Sequence, residues 1–228
     1  MNFLKPDEIE ALLLSLKISA VAVALSLPLA LAAALLLSRS FAGKTLLDGI
    51  VHLPLVLPPV AVGFILLTLF GTRAGLGAAL FHAFGIRLVF HWTGAALASA
   101  VITFPFQVRA IRLALEAQDR GLSEAARSLG AGPLDRLVNI TVPLALPGLA
   151  AGAITAFAAS LGEFGAIITF VSNIPGETRT LPLAIYTALQ TPGGDAEAAR
   201  LSALSIALAL IFMVAAQMLM RRAAKEAA

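Results

Sequence analysis

The chain has 228 residues, of which 59% are hydrophobic and only 13% carry a formal charge, about half the roughly 25% usual in soluble domains. So few charged groups cannot cover a soluble fold of this size, and the mean hydropathy of +0.93 fits a chain solvated by lipid. The absence of cysteine excludes disulfides, thiolate metal ligands and a thiol nucleophile.

The N-terminal "KPDEIE" (Lys5 to Glu10) is acidic where a secretory signal would be basic. The apolar run behind it is also too long for a signal, so Ser26 to Ala34 reads as part of a span and not as a cleavage site. Five runs carry no formal charge: Ile18–Ser38, Gly49–Thr72, Leu88–Val108, Leu137–Gly162 and Leu201–Met220, of 21, 24, 21, 26 and 20 residues. Each reaches the roughly 20 residues that an α-helix needs to cross about 30 Å of hydrocarbon. The expected fold is an all-α integral membrane protein with about five transmembrane helices, in one domain over residues 1–228. Pro28, Pro54, Pro58, Pro59, Pro105 and Pro147 lie in or beside these runs, where neighbouring helices can satisfy freed carbonyls.

Between the first two runs, "SRSFAGKT" (Ser38 to Thr45) ends like a phosphate-binding loop. Ser38 stands where such a loop needs glycine, and the segment joins two spans instead of a strand and a helix, so it reads as a basic turn. His52, His82 and His91 fall at separate span ends without metal-ligand spacing, and no metal site is expected.

After the third run the pattern changes. Residues 109–136 hold nine of the chain's 29 charged residues. Within them Ser123 reads as a helix N-cap, Glu124 as a complement to the positive end of the helix dipole, and Gly130 as a left-handed terminator. A helix of under two turns is marginal in water and needs something to pack against. Ala125 and Ala126 offer a close-packing surface, ringed by Arg120, Arg127 and Arg136. Spacing alone leaves two readings, a docking knob and a solvated loop.

At the end of the fourth run, Ser160 and Glu163 in "SLGEFGA" are the candidates for a translocation path or gate. Glu163 lies 26 residues after Leu137, roughly 39 Å along a straight helix. It therefore either lines an outer gate or simply ends the span. Residues 173–195, rich in Pro and Gly around an amphipathic "LPLAIYTAL", are expected on the outer face, in a loop extending over about 173–199.

Orientation follows from basic residues. One side carries ten: Arg39, Lys44, Arg109, Arg112, Arg120, Arg127, Arg136, Arg221, Arg222 and Lys225. The other carries six: Lys5, Lys17, Arg73, Arg87, Arg179 and Arg200. The ten-residue side is expected in the cytoplasm, with the N-terminus outside and the C-terminus inside. The pI of 9.8 thus reflects membrane orientation, and no nucleic-acid partner is expected.

Glu124-Ala125-Ala126, three residues, Gly130, nine residues, then Ile140-Thr141-Val142-Pro143 resembles the EAA motif of ABC-transporter permeases, EAA-x3-G-x9-I-x-L-P, with Val142 replacing only the leucine. "LPLVLPPVAVGFILLTLFG" (Leu53 to Gly71), "TFPFQVRAIRLALEA" (Thr103 to Ala117) and "SLGEFGAIITFVSNIPGETRTLPLAIYTALQTPGGD" (Ser160 to Asp195) extend the resemblance to the molybdate, tungstate and sulfate permeases, molybdate above all. The resemblance implies a type I ABC importer permease fold in a cell (inner) membrane. It also implies a coupling helix formed by Glu124, Ala125, Ala126 and Gly130, with Ile140 and Pro143, that sits in a separate ATP-hydrolysing subunit. The implied partners are a second copy of the chain, cytoplasmic ABC ATPase subunits, a periplasmic or extracellular oxyanion-binding protein and membrane lipid. No cofactor is expected in this chain, and ATP and Mg would be bound by the ATPase.

A dianion has a prohibitive solvation cost in hydrocarbon, so it needs a polar path never open to both sides at once. One five-span subunit is too small to enclose such a path, whereas two copies around a two-fold axis can form it at their interface. An ionised Glu163 would repel the anion, so it is expected to be paired or hydrogen-bonded instead of binding substrate. A secondary transporter would carry intramembrane charge for ion coupling, and the five runs have none. A membrane-embedded enzyme lacks its catalytic constellation.

Overall fold

The computed structural model describes residues 5–72 and 75–226, and all regular structure among them is helical. Arg73 lies outside the described residues, as do the side chains of Arg120, Arg221, Arg222 and Lys225.

Helix α1 (Pro6–Leu37) opens with proline in its first turn, where no partner for its missing N–H is required. Asp7 and Glu8 follow at the positive end of the dipole. It begins twelve residues before the charge-free run, with Asp7, Glu8, Glu10 and Lys17 in its first turns. The second run is not a straight span. It forms α2 (Lys44–Val56) and α3 (Pro59–Phe70), bent by 111° at the break between them. Two consecutive prolines impose this, since each forces the residue before it out of the helical region. Leu57 accordingly has ψ 142° and Pro58 ψ 132°. Among the described residues four helices are long and apolar enough to cross a membrane, or five if the bent pair counts as one span.

A short α4 (Gly75–Phe84) leads to α5 (Trp92–Glu116), capped by His91, whose ring nitrogen accepts from the Thr93 amide. Two short helices, α6 (Arg120–Ser128) and α7 (Pro133–Arg136), precede a π-helical turn over Leu137–Thr141 that runs straight into α8 (Val142–Leu161). The chain closes with α9 (Gly165–Val171), α10 (Leu181–Gln190) and α11 (Asp195–Glu226).

The centre is a three-helix bundle of α1, α5 and α8. Helices α1 and α5 run side by side in the same direction, with Ile18 in one apolar cluster with Ala95 and Ala98, and Ala30, Ala34 and Leu37 in another with Val108 and Ile111. Helix α8 runs against α5 along a seam of small residues. A Cβ on Gly148 would lie 2.4 Å from the Cβ of Ala114, and one on Gly152 3.1 Å from the Cα of Gln107. Small residues of this kind let backbones approach closely in lipid, where dispersion replaces the hydrophobic drive. In the same core Gln107 donates from Nε2 to the hydroxyl of Ser26 at 2.8 Å.

Polar contacts sort to the two ends of the bundle. At one end Lys5 pairs with Glu197 at 2.5 Å, Glu8 pairs with Arg200, and the Lys17 ammonium sits 3.6 Å from the centre of the Trp92 ring. At the other, Arg112 bridges Asp48 at 3.1 Å and Glu116 at 2.7 Å. Lys5, Lys17 and Arg200 belong to the six-residue set and Arg112 to the ten-residue set.

Two expected loops are mostly ordered structure. Residues 109–116 continue α5, so the polar insert proper begins after Glu116. The segment 173–199 is a tight turn, then α10, a second turn and the start of α11. The amphipathic stretch packs one face into the protein, where Leu181, Leu183, Ala184 and Ala188 are buried and the Leu181 amide donates to Ser15 of α1 at 2.7 Å, and leaves Tyr186 and Leu189 exposed on the other. The turn before it is held by Thr178, whose hydroxyl donates to the Ser172 carbonyl and accepts from the Ile174 amide. This network keeps Ser172 at φ +67°, a conformation that L residues avoid.

Candidate functional site

The polar insert begins where α5 runs out at Ala117. Two residues later Asp119 turns the chain and caps α6, its carboxylate accepting from the Gly121 amide at 2.8 Å. This corrects the expected cap at Ser123, which lies inside the helix, and lengthens the helix to nine residues. Glu124 consequently falls mid-helix and not at the positive end of the dipole.

The C-terminal end agrees with the sequence. Gly130 has φ +90°, its amide donates to the Arg127 carbonyl at 3.0 Å, and the Ala131 amide donates to the Ala126 carbonyl at 3.0 Å. This pair of bonds is the Schellman arrangement, and only glycine adopts its left-handed position without penalty. Nothing lies within 4 Å of where a Gly130 Cβ would be, so the requirement is backbone conformation and not space.

Glu124, Ala125 and Gly130 are exposed, while Ala126 is half-buried. Sequence reasoning missed the larger feature beside them. Leu122 is 49% and Leu129 89% exposed, and with Ala125 they follow helical spacing along one face. Leu134 and Val138 add exposed apolar area just beyond. The spacing i, i+3, i+7 of Leu122, Ala125 and Leu129 was the available signal. The result is a two-and-a-half-turn helix of mostly polar residues with an exposed leucine face.

The remaining motif residues support the helix from below. Ile140 is partly buried in the π-helical turn, and Pro143 stands in the first turn of α8. The motif is thus divided: four residues belong to α6 and its cap, and two to the base on which it stands.

Ser160 and Glu163 lie elsewhere, at the other end of α8. Ser160 is 4% exposed and its hydroxyl has no partner among the described atoms. Glu163 is 8% exposed and accepts from the Ala166 amide at 2.8 Å, closing the gap between α8 and α9. Neither lines the apolar cleft of about 620 Å³ between α1, α2 and α5. No group of three metal-ligating side chains occurs among the described residues. His91 instead meets Glu177 at 3.2 Å.

Residues 26–225 match the family model of binding-protein-dependent transport system inner membrane components. The chain is 56% identical over 215 residues to the molybdenum transport system permease protein ModB of Escherichia coli strain K12, covering 94% of each. It is 50% identical over 220 residues to ModB of Haemophilus influenzae, covering 96% of each. A bacterial alginate ABC transporter, solved in complex with its alginate pentasaccharide-bound periplasmic protein, has a chain that superposes with a TM-score of 0.74 at 21% identity. That match covers 96% of this chain and 80% of the other.

Proposed function

The chain belongs to the binding-protein-dependent transport system inner membrane components, and we propose that it is the permease subunit of an ATP-driven importer whose cargo is molybdate. The observation that carries the cargo assignment is the 56% identity to a molybdenum permease across 94% of both chains. What supports the energy source is α6: an exposed, firmly capped helix with an apolar face, outside the spans, in a chain with no phosphate-binding loop of its own.

In this reading Leu122, Ala125, Ala126 and Leu129 enter a cleft of a cytoplasmic ABC ATPase that binds ATP and Mg. The ten-residue basic side faces the cytoplasm, putting the N-terminus outside and the C-terminus inside. The opposite end, where Glu8, Arg200, Lys17 and Trp92 gather, receives an oxyanion-binding protein, the arrangement for which the alginate transporter's complex with its periplasmic protein is the precedent. A second copy completes the path, and part of the apolar surface, Leu25, Leu29, Ile206 and Ile211 among it, meets lipid. Ser160 and Glu163 act in this scheme as gate supports, positioned by burial and by the Ala166 amide and not by contact with the anion.

Affinity purification in mild detergent tests the partnership. We expect a nucleotide-binding subunit and two permease copies in one particle, with the receptor captured when molybdate is present. A cysteine at Ala131 should label only from the face that binds the ATPase. A solitary chain that still moves molybdate would overturn the reading.

A further inference from the structure

A nine-residue helix exposed to water is too short to hold its own direction, so whatever fixes α6 also decides how motion elsewhere reaches it. The structure supplies two ties. From α7, Arg136 reaches the Ser123 hydroxyl at 3.3 Å and its carbonyl at 3.5 Å. From the end of α5, the Gln118 side-chain amide donates from Nε2 to the main-chain carbonyl of Thr141 at 3.0 Å. This second bond spans 23 residues and closes the insert at its neck.

The carbonyl it uses sits at an unusual place. Pro143 has no N–H and its ring crowds the preceding turn. The helix entering α8 is widened there, with the Val142 amide donating to Leu137 five residues back. Such widened turns are frequent at functional positions. Thr141 is the last residue of the turn. Gln118 is the residue before the Asp119 cap, so a load on its side chain acts directly at the first turn of α6.

Resting on the reading of α6 as the docking helix, we propose that Gln118 is a positioning residue that links α6 to α8 through the Thr141 carbonyl. A displacement of α8 against α5 is thereby converted into a movement of α6, and the reverse. Gln118 lies outside the exposed leucine face, so its task is transmission, while docking belongs to Leu122, Ala125, Ala126 and Leu129.

The test uses the full complex in proteoliposomes and compares basal ATP hydrolysis with hydrolysis stimulated by the molybdate-loaded receptor. Gln118→Met keeps the length and removes the donor; Gln118→Lys restores a donor of similar reach. We expect both variants to retain the ATPase at wild-type stoichiometry with unchanged basal hydrolysis. Stimulation should fall about tenfold in Gln118→Met, the scale of one hydrogen bond's net contribution, and recover in Gln118→Lys. Unchanged stimulation in Gln118→Met, or loss of the ATPase from that variant, would overturn the inference alone. A wild-type chain that holds no ATPase would overturn the docking reading and the inference with it.

Discussion

Leu129→Asp is expected to release the ATP-hydrolysing subunit while leaving the permease folded. Leu129 is 89% exposed and caps α6 through its backbone, its amide donating to the Ala125 carbonyl at 3.1 Å. Within this chain its side chain therefore contributes little, and aspartate at the site is solvated. In a tight interface the accounting reverses. Burial of a leucine side chain is worth about 1.5–3 kcal/mol, and an unpaired carboxylate enclosed in its place adds a desolvation penalty of similar or larger size. A combined loss of about 4 kcal/mol weakens association on the order of a thousandfold. Thermal stability of the detergent-solubilised permease should be unchanged, and the ATPase should be absent from the purified particle. Retention of the ATPase at wild-type stoichiometry would mean that α6 is solvated and the joint lies elsewhere.

The second large effect belongs to the bundle itself. In Gly148→Val a Cβ would fall 2.4 Å from the Ala114 Cβ and 2.9 Å from the Ala110 carbonyl oxygen. Neither neighbour can rotate away, because one is a methyl fixed to the backbone and the other is backbone. Relief requires α5 and α8 to separate, which forfeits dispersion contacts along the seam. Overpacking of this kind costs about 1–3 kcal/mol, and more where two helices must part. We expect a lowered unfolding temperature and aggregation on extraction. Gly49→Val is the control, since nothing lies within 4 Å of its Cβ position. Equal unfolding temperatures for the two variants would refute the close α5–α8 packing.

The helices were legible where chemistry is local. Charge-free length located all four long helices, because lipid tolerates no interrupted backbone without a partner. It failed at their ends: α1 and α5 continue beyond the apolar runs, where Glu8 is paired with Arg200 of α11 and Arg112 with Glu116 of its own helix. The break at Leu57 was also available, since Pro58-Pro59 obliges extended backbone, yet a hydropathy count weighs proline only as a side chain. Among the capping residues Gly130 was readable because positive φ has one cheap solution. Asp119 and Ser123 are both good caps, and where α5 ends decides between them.

Other features depend on the whole fold. Glu163 was expected to be hydrogen-bonded, but its partner, the Ala166 amide, exists only because α9 begins there. The buried face of "LPLAIYTAL" packs against Ala11 and Leu201, and its Leu181 amide donates to the hydroxyl of Ser15, 166 residues away. The Gln118–Thr141 tie likewise joins two residues that no spacing rule connects. The leucine face of α6 was visible in principle, and its exposure required knowing that nothing else among the described residues covers it.

The most direct measurement is accumulation of radiolabelled molybdate in vesicles that contain the permease, its ATPase and external receptor. The account predicts uptake against a gradient only when ATP is enclosed on the α6 side and all three proteins are present. It also predicts that enclosed ATP cannot be replaced by a proton or sodium gradient. Accumulation by the permease alone under an ion gradient would contradict it.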